Sequence, residues 1–322
     1  MKYVTLGKSE LRVSRVAFGT WQLGGDWGST DSELAVSAIR RAADKGVTFF
    51  DTAQAYGFGA SERLLGRALK GEVRNDIFIA TKGGLRSSGT GAVRDASPAS
   101  IRAGVEQSLR ALSTDYIDLL QIHWPDPHTP FEETADAVGK LIADGKVLHV
   151  GVSNFDAGQM EMFSETLPVE ALQPPYNLFH REIEQTILPY THENNIGVLV
   201  YGPLAHGLLG GGLRLDTRFA ADDWRSKSVD FKGATLRHNL AKVAELRDFA
   251  QGELGVSVSE LAVAWTLANP AVQVAIVGTR NPDHVDEMIS AADLLLHEST
   301  ISRVEEIMSD VVPIVGPSPE SV

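Results

Sequence analysis

No cysteine occurs among the 322 residues. Disulfides, thiolate metal sites and thiol catalysis are excluded at once, which suits a reducing compartment. No run of about 18 uncharged apolar residues appears, so no membrane-spanning helix is expected. The opening stretch MKYVTLGKSELRVSRVAFG has no apolar core of signal-peptide length, and a cytoplasmic location is expected. Positive charge is scarce: 29 Lys and Arg face 42 Asp and Glu, a net charge of -13. That balance argues against nonspecific binding to nucleic acid or to an anionic membrane. A small anionic ligand needs only a local basic patch. A Gly-rich dinucleotide fingerprint is missing too, since GTWQLGGDWG (19–28) after the first apolar run does not match G-x-G-x-x-G.

What is present is ample for a large core, with 43% hydrophobic residues. Eight short apolar runs recur along the chain. They are VAFG (16–19), VTFFD (47–51), IFIATK (77–82), YIDLLQIH (116–123), VLHVGVS (147–153), VEALQ (169–173), IGVLVY (196–201) and VAIVG (274–278). Gly, Pro or polar residues bound each one, as expected of buried strands. Helical patterns lie between them. Leu34, Ala38, Ile39 and Ala42 share a face behind a capping box from Thr30 to Glu33. Ile101, Val105, Leu109 and Leu112 follow Ser97-Pro98, an N-cap with proline at the first helical position. Asn281-Pro282 repeats that signal before Val285, Met288, Ile289 and Ala292.

Eight strands alternating with eight helices predict a parallel sheet, because each parallel crossover requires a connection of helix length. The length suits a closed (β/α)8 TIM barrel of about 250 residues with additions. The additions are an N-terminal β-hairpin cap (YVTLGKSELRVS), a long loop at roughly 202–237 and a C-terminal helical tail. A doubly wound sheet is the second reading. No linker divides the chain, so residues 1–322 are expected to form one domain. The segment 83–97, rich in Gly and Ser, is expected to be a mobile loop.

In such a barrel the chemistry sits at the C-terminal ends of the strands. The polar residues expected there are Asp51, with Tyr56 in the following turn, then Lys82, His123, Ser153-Asn154, Gln173, Tyr201 and Thr279-Arg280. A tyrosine with a pKa of about 10 is a poor acid at neutral pH. A neighbouring ammonium lowers that value, and a carboxylate keeps a buried lysine charged. The expected logic is that Asp51 holds Lys82, Lys82 tunes Tyr56, and Tyr56 moves a proton beside His123, a donor to a carbonyl oxygen. Zinc at His123 and His128 lacks a third ligand, and no metal is expected. Trp21, Trp27 and Trp124 are expected to line a substrate pocket, with Trp224 reaching it from the long loop.

The ordered segments FFDTAQAYGFGASERLLGRAL, ATKGG, LLQIHWPD, GVSNF, YGPLAHGLL and VGTRNPDHVDE together resemble the aldo-keto reductase superfamily, most closely its bacterial, channel-β-subunit-like branch. The similarity runs from Leu11 to about Leu295. It implies a (β/α)8 barrel that binds NADPH without a Rossmann domain and reduces small-molecule carbonyls. Tyr56 would be the general acid, supported by Asp51, Lys82 and His123. The resemblance also implies cofactor contacts. These are Thr20 and Trp21, then Ser153, Asn154 and Gln173 at the nicotinamide carboxamide, and Tyr201 stacked on its ring. Gly202, Pro203, Leu204, His206 and Gly207 would cover the pyrophosphate. Gly278, Thr279, Arg280, His284 and Glu287 would surround the 2'-phosphate and adenine. Position 288, often Asn in the family, is Met288 here, so an adenine-side amide is missing. A monomer or weak homo-oligomer is expected. The alternatives are an NADPH-bound sensor or regulatory subunit with little turnover, and a lyase or isomerase on the same barrel.

Overall fold

A computed structural model describes residues 1–89 and 91–319. Eight parallel strands close into a barrel: β1 (Val16–Gly19), β2 (Phe49–Asp51), β3 (Phe78–Gly83), β4 (Ile117–Ile122), β5 (Val147–Ser153), β6 (Ala171–Gln173), β7 (Gly197–Tyr201) and β8 (Val274–Gly278). Each pairs with its neighbours in chain order, and β8 closes on β1 through Gly278 opposite Gly19. This is the (β/α)8 architecture expected from the sequence.

The strand pleat decides which side chains face inward. Parallel partners share a face, so Gly278, Gly19 and Asp51 fall on the inner wall together, as do Lys82 with Gln121 and Ser153 with Gln173. Lower in the barrel the inner positions are apolar: Ala17, Phe49, Ala80, Leu119, Ala171, Leu199, Val274 and Ile276 pack as one cluster. Leu6, Leu11 and Val13 complete that cluster from the N-terminal hairpin, whose strands Tyr3–Thr5 and Arg12–Ser14 pair antiparallel. The hairpin therefore plugs the base, and the opposite end of the barrel is left for polar groups.

Ten α-helices are found among the described residues. Around the sheet lie α1 (Ser32–Asp44), α2 (Ala60–Ala68), α3 (Pro98–Leu112), α4 (Phe131–Ala143), α5 (Ala157–Ser164) and α6 (Ile187–Glu193). They are followed by α7 (Gly233–Phe249), α8 (Val258–Ala268), α9 (Val285–Ala291) and α10 (Glu298–Ile307). Ser97 caps α3 and Asn281 caps the turn leading into α9, as the sequence signals require. At α1 the cap is one residue later than expected. Asp31 accepts from the Glu33 and Leu34 amides, while the Thr30 hydroxyl bonds the Gln22 carbonyl. The buried stripe accordingly runs Ala35, Ala38, Ile39 and Ala42, leaving Leu34 half exposed.

Two further differences concern connections. Segment 83–97 forms a two-stranded antiparallel ribbon, Leu85–Ser87 with Ala92–Arg94, where a mobile loop was expected. Its alternation was short enough to be hidden among glycines and serines. Thr90, in the same segment, lies outside the described residues. The crossover from β7 to β8 carries two helices where one was expected. The helix that packs against β8 is the second, α8, opened by a capping box between Ser257 and Glu260. After α10 the chain runs back across the top of the barrel, held by Asn239 bonds to the Val312 backbone and by Ile314 N–H to the Phe179 carbonyl. No helix among the described residues is long and apolar enough to cross a membrane.

Candidate active site

Asp51 ends β2 and Lys82 lies near the end of β3, both pointing into the barrel and both nearly inaccessible, at 3% and 1% exposure. A lysine ammonium has three hydrogens to place. Those of Lys82 go to Asp51 Oδ1 at 2.7 Å, the Thr52 carbonyl at 2.9 Å and the Tyr56 hydroxyl at 3.1 Å. The turn after β2 makes the last contact possible. Gly57, Phe58 and Gly59 all have positive φ, which folds the chain back so that Tyr56 overhangs the barrel mouth. At Gly57 a side chain is also barred by space, because a Cβ would stand 2.2 Å from the Gly24 carbonyl oxygen.

The other carboxylate oxygen of Asp51 accepts from Gln173 Nε2 at 2.8 Å and, more weakly, from Gln121 Nε2 at 3.5 Å. Behind the pair is a dry cluster of hydroxyls from three elements. Thr20 Oγ1 donates to the Asp51 carbonyl, Ser61 Oγ lies 2.6 Å from Thr20 Oγ1, and Thr52 Oγ1 lies 3.2 Å from Ser61 Oγ. All three residues are fully buried. They pin the ends of β1 and β2 to the start of α2, and so fix the carbonyl that accepts from Lys82.

His123 follows β4. Its ring meets that of Tyr56 edge-on, with centroids 5.8 Å apart, and its Nδ1 is buried with no partner among the described residues. Asn154 holds the His123 carbonyl through Nδ2 at 3.0 Å and accepts from the Tyr201 hydroxyl at 3.0 Å. Ser153 Oγ donates to the Gln173 carbonyl. Expected residues from β2 to β7 thus form one continuous hydrogen-bonded rim.

Electrostatically the group departs from the sequence expectation. Tyr56 is pushed well above an ordinary phenol by burial first, then by the charges of Asp51 and Asp26. The Lys82 ammonium favours the phenolate, but desolvation and the nearby carboxylates outweigh it. Burial lowers Lys82, opposed by Asp51. Burial and Lys82 hold His123 well below the usual imidazole range. The Tyr56 and His123 shifts favour a neutral phenol and a neutral imidazole, above the Lys82–Asp51 ion pair.

Two adjoining cavities open here. The first, of about 120 Å3, is bordered by Trp21, Tyr56, His123, Trp124, Asn154 and Tyr201, with Asp26 and the tail residues Pro317 and Pro319. The second, of about 150 Å3, runs past Trp27, Gly202, Pro203, Leu204, His206 and Gly207 to Gly278. They share Trp21, Tyr56 and Tyr201. Trp27, expected at the substrate, faces only the second cavity. There it joins Trp21, Trp224 and His206 in a cluster of edge-on and stacked rings. Thr20 lines neither cavity, because its hydroxyl is spent on Asp51 and Ser61.

The far end of the second cavity holds the remaining expected residues less closely. Arg280 is exposed and donates to the carbonyls of Trp27 and Ser29, both at 3.2 Å. Thr279 and His284 face each other at 3.4 Å. Glu287 accepts from Ser257 and Ser259, tying α9 to the start of α8. Met288 is 4% exposed and belongs to the core between those helices. Gln121, Thr52, Ser61 and Asp26 were missed by sequence reasoning. Gln121 was within reach, being an inward position two residues before His123. Ser61 and Thr52 are ordinary hydroxyls until three elements meet.

A dinucleotide with a reactive nicotinamide fits the near end. The two cavities meet at Tyr201, which lines both, and Trp27 Nε1 is a buried N–H beside the second cavity with no partner among the described residues. At the far end the fit rests on Arg280.

Comparison with known proteins agrees. A sequence model described as the aldo/keto reductase family matches residues 15–309. The aldo-keto reductase YhdN of Bacillus subtilis (strain 168) is 39% identical, with 98% of this chain and 97% of that one covered. Among solved structures, the glycerol dehydrogenase AKR11B4 from Gluconobacter oxydans superposes with a TM-score of 0.88 at 40% identity, covering 98% of both chains. An aldo/keto reductase from Klebsiella pneumoniae, solved in complex with NADP and acetate, gives a TM-score of 0.76 at 27% identity over 99% of this chain and 98% of that one.

Proposed function

Because the chain belongs to the aldo/keto reductase family, a family of oxidoreductases, we propose that it is an NADPH-dependent reductase of small aldehydes or ketones, with Tyr56 as general acid and residues 1–322 acting as one catalytic domain. One observation carries this reading: a single buried ammonium, Lys82, joins the Asp51 carboxylate to the Tyr56 hydroxyl at the floor of a cavity that His123 also borders.

Bound NADPH supplies a hydride to the carbonyl carbon. Ser153, Asn154 and Gln173 are suited to hold its carboxamide, Tyr201 to cover its ring, the Gly202–Gly207 segment to pass over its pyrophosphate, and Arg280 to meet its 2'-phosphate. The chain's own work is on the carbonyl oxygen. Tyr56 and the neutral His123 direct hydrogen-bond donors at that oxygen, polarising it before reaction and stabilising the charge that grows there. The Tyr56 proton then moves to the oxygen. A phenol with a raised pKa gives up a proton readily only to a stronger base, and an alkoxide is one. The Lys82 N–H against Tyr56 Oη stabilises the phenolate as it forms, and Asp51 keeps the lysine charged in a dry site. Trp21, Trp124 and the tail prolines keep water from competing for the oxygen.

Tyr56→Phe tests this. Turnover of aldehydes with NADPH is expected to fall by about 10³-fold or more, since proton donation and carbonyl orientation are lost together. NADPH affinity, read by quenching of protein fluorescence, is expected to persist. Near-normal turnover in this variant would remove Tyr56 from its role.

A further inference from the structure

The catalytic cavity contains a carboxylate that the reaction above does not use. Asp26 sits in the loop after β1, between Trp21 and Trp27, and lines the cavity on the side facing Tyr56. It is the only carboxylate there, and no lysine or arginine lines that wall among the described residues. Oδ2 accepts from Trp21 Nε1 at 3.3 Å, and no ion pair among the described residues involves Asp26. Its other oxygen, Oδ1, has no hydrogen-bond partner among them. The loop is held from behind, where the Asp26 carbonyl accepts from the Trp224 N–H at 3.1 Å and Trp27 forms a bridge with Asp223.

A half-buried carboxylate without a cation is costly, and the structural task it has, accepting from the Trp21 indole, occupies only one of its oxygens. No helix start, turn or strand uses the side chain. Its charge reaches the reacting group, since it contributes to the upward shift of Tyr56. A carboxylate accepts hydrogen bonds and donates none. Its complement in a substrate is therefore a donor. In a small carbonyl compound the donor at hand is a hydroxyl. The cavity, at about 120 Å3, has room for only a small molecule, so that hydroxyl lies close to the carbonyl.

We propose that Asp26 forms a hydroxyl-binding subsite in the catalytic cavity, selecting small carbonyl compounds that bear a hydroxyl beside the carbonyl and rejecting those that bear a carboxylate there. The inference rests on the reductase reading and adds the substrate class to it. Two physical terms give the selectivity. An alkyl group in place of the hydroxyl strips water from Asp26 and returns no hydrogen bond, and sites built around a substrate hydroxyl discriminate strongly for that reason. A substrate carboxylate in the same position brings two like charges together where water is scarce.

The experiment compares three aldehydes of similar size under NADPH: glycolaldehyde, its methyl isostere propanal, and glyoxylate. For the wild-type protein, kcat/KM for glycolaldehyde is expected to exceed that for propanal by about 10-fold or more, and glyoxylate to fall below propanal. In Asp26→Asn, which keeps shape and leaves an acceptor for Trp21, the glycolaldehyde-to-propanal ratio is expected to drop roughly 10-fold and the glyoxylate-to-propanal ratio to rise by a similar factor. Unchanged ratios in the variant overturn the subsite. So does a wild-type preference for propanal over glycolaldehyde, which is decisive even if the variant does not fold. Absence of turnover with all three in the wild type overturns the reductase reading itself, and the subsite with it.

Discussion

Asp51, Tyr56, Lys82 and His123 carry little meaning singly. A strand-terminal aspartate, an aromatic in a turn and a long lysine each have ordinary explanations. Their meaning comes from three short contacts to one nitrogen. The charge logic read from the sequence was half right at this scale. Asp51 does hold Lys82. Tyr56, however, moves up and not down, because the cost of desolvating a phenolate depends on burial that no spacing reveals. His206 shows the same effect in a form that is measurable. It is buried among three tryptophan rings, and burial, with Arg225 nearby, lowers it to about 4. Its folded value lies below its unfolded value of about 6.5. The unfolded chain therefore takes up the proton first as the pH falls. The stability is fully present above about pH 6.5 and is lost progressively down to about pH 4, by roughly 3 kcal/mol from this residue alone. His206→Asn, which suits the left-handed backbone at that position, is expected to reduce the stability lost between pH 7 and pH 4.5 by about 2–3 kcal/mol. Urea unfolding of both proteins at the two pH values gives the number. An identical loss in the variant would show that His206 titrates normally.

Among the elements, strands and cap signals were the most legible. Three of the eight apolar runs match their strands to the residue, and Ser97-Pro98 and Asn281-Pro282 mark helix entries as expected. The errors share a cause. Thr30 and Asp31 are both competent caps, and only the tertiary position of Gln22 draws the threonine away. The ribbon at Leu85–Ser87 and Ala92–Arg94 has too few residues to show a period. The far end of the second cavity is also decided between elements. Arg280 bridges from the end of β8 to the β1–α1 loop, so it serves loop closure as well as any phosphate. A cation there, just before a capped helix start, is the only full positive charge of that segment. Arg280→Met is expected to weaken NADPH by about 2–3 kcal/mol, the scale of a charge-assisted hydrogen bond, and NADH by clearly less. Dissociation constants for both cofactors measure this. Equal weakening would assign Arg280 to holding the loop alone.

On the scale of the whole molecule the barrel separates its two tasks. The base is closed by the hairpin for stability, and the open end holds the polar groups proposed to carry the chemistry. The base is tightly built. A Cβ on Gly197, the first residue of β7, would stand 2.6 Å from Leu6 Cγ, and one on Gly7 would stand 2.2 Å from the Gly197 nitrogen. Gly197→Ala must push Leu6 out of the apolar plug. Overpacking of this kind costs about 1–3 kcal/mol. The midpoint of thermal unfolding is expected to fall while kcat at a permissive temperature stays at the wild-type value, since Gly197 lies at the opposite end of its strand from Tyr201. A loss of kcat without a change in unfolding would contradict that separation.

The sequence by itself determined the alternation of strands and helices, and with it the parallel barrel, because the helical and strand periods and the turn residues are local properties. It also placed Asp51, Lys82, His123, Asn154, Gln173 and Tyr201 at one end of that barrel, since side chains at strand ends follow from where each apolar run stops. Only the tertiary structure decided what these groups share. Lys82 spends its three hydrogens on residues of one neighbouring strand and its turn. Thr20, Thr52 and Ser61 become a buried web. Asp26 turns from an unremarkable loop acid into the one carboxylate on the cavity wall among the described residues. Each of these depends on distances between segments far apart in the chain and on the water excluded when they meet, and neither quantity is written in any one of them.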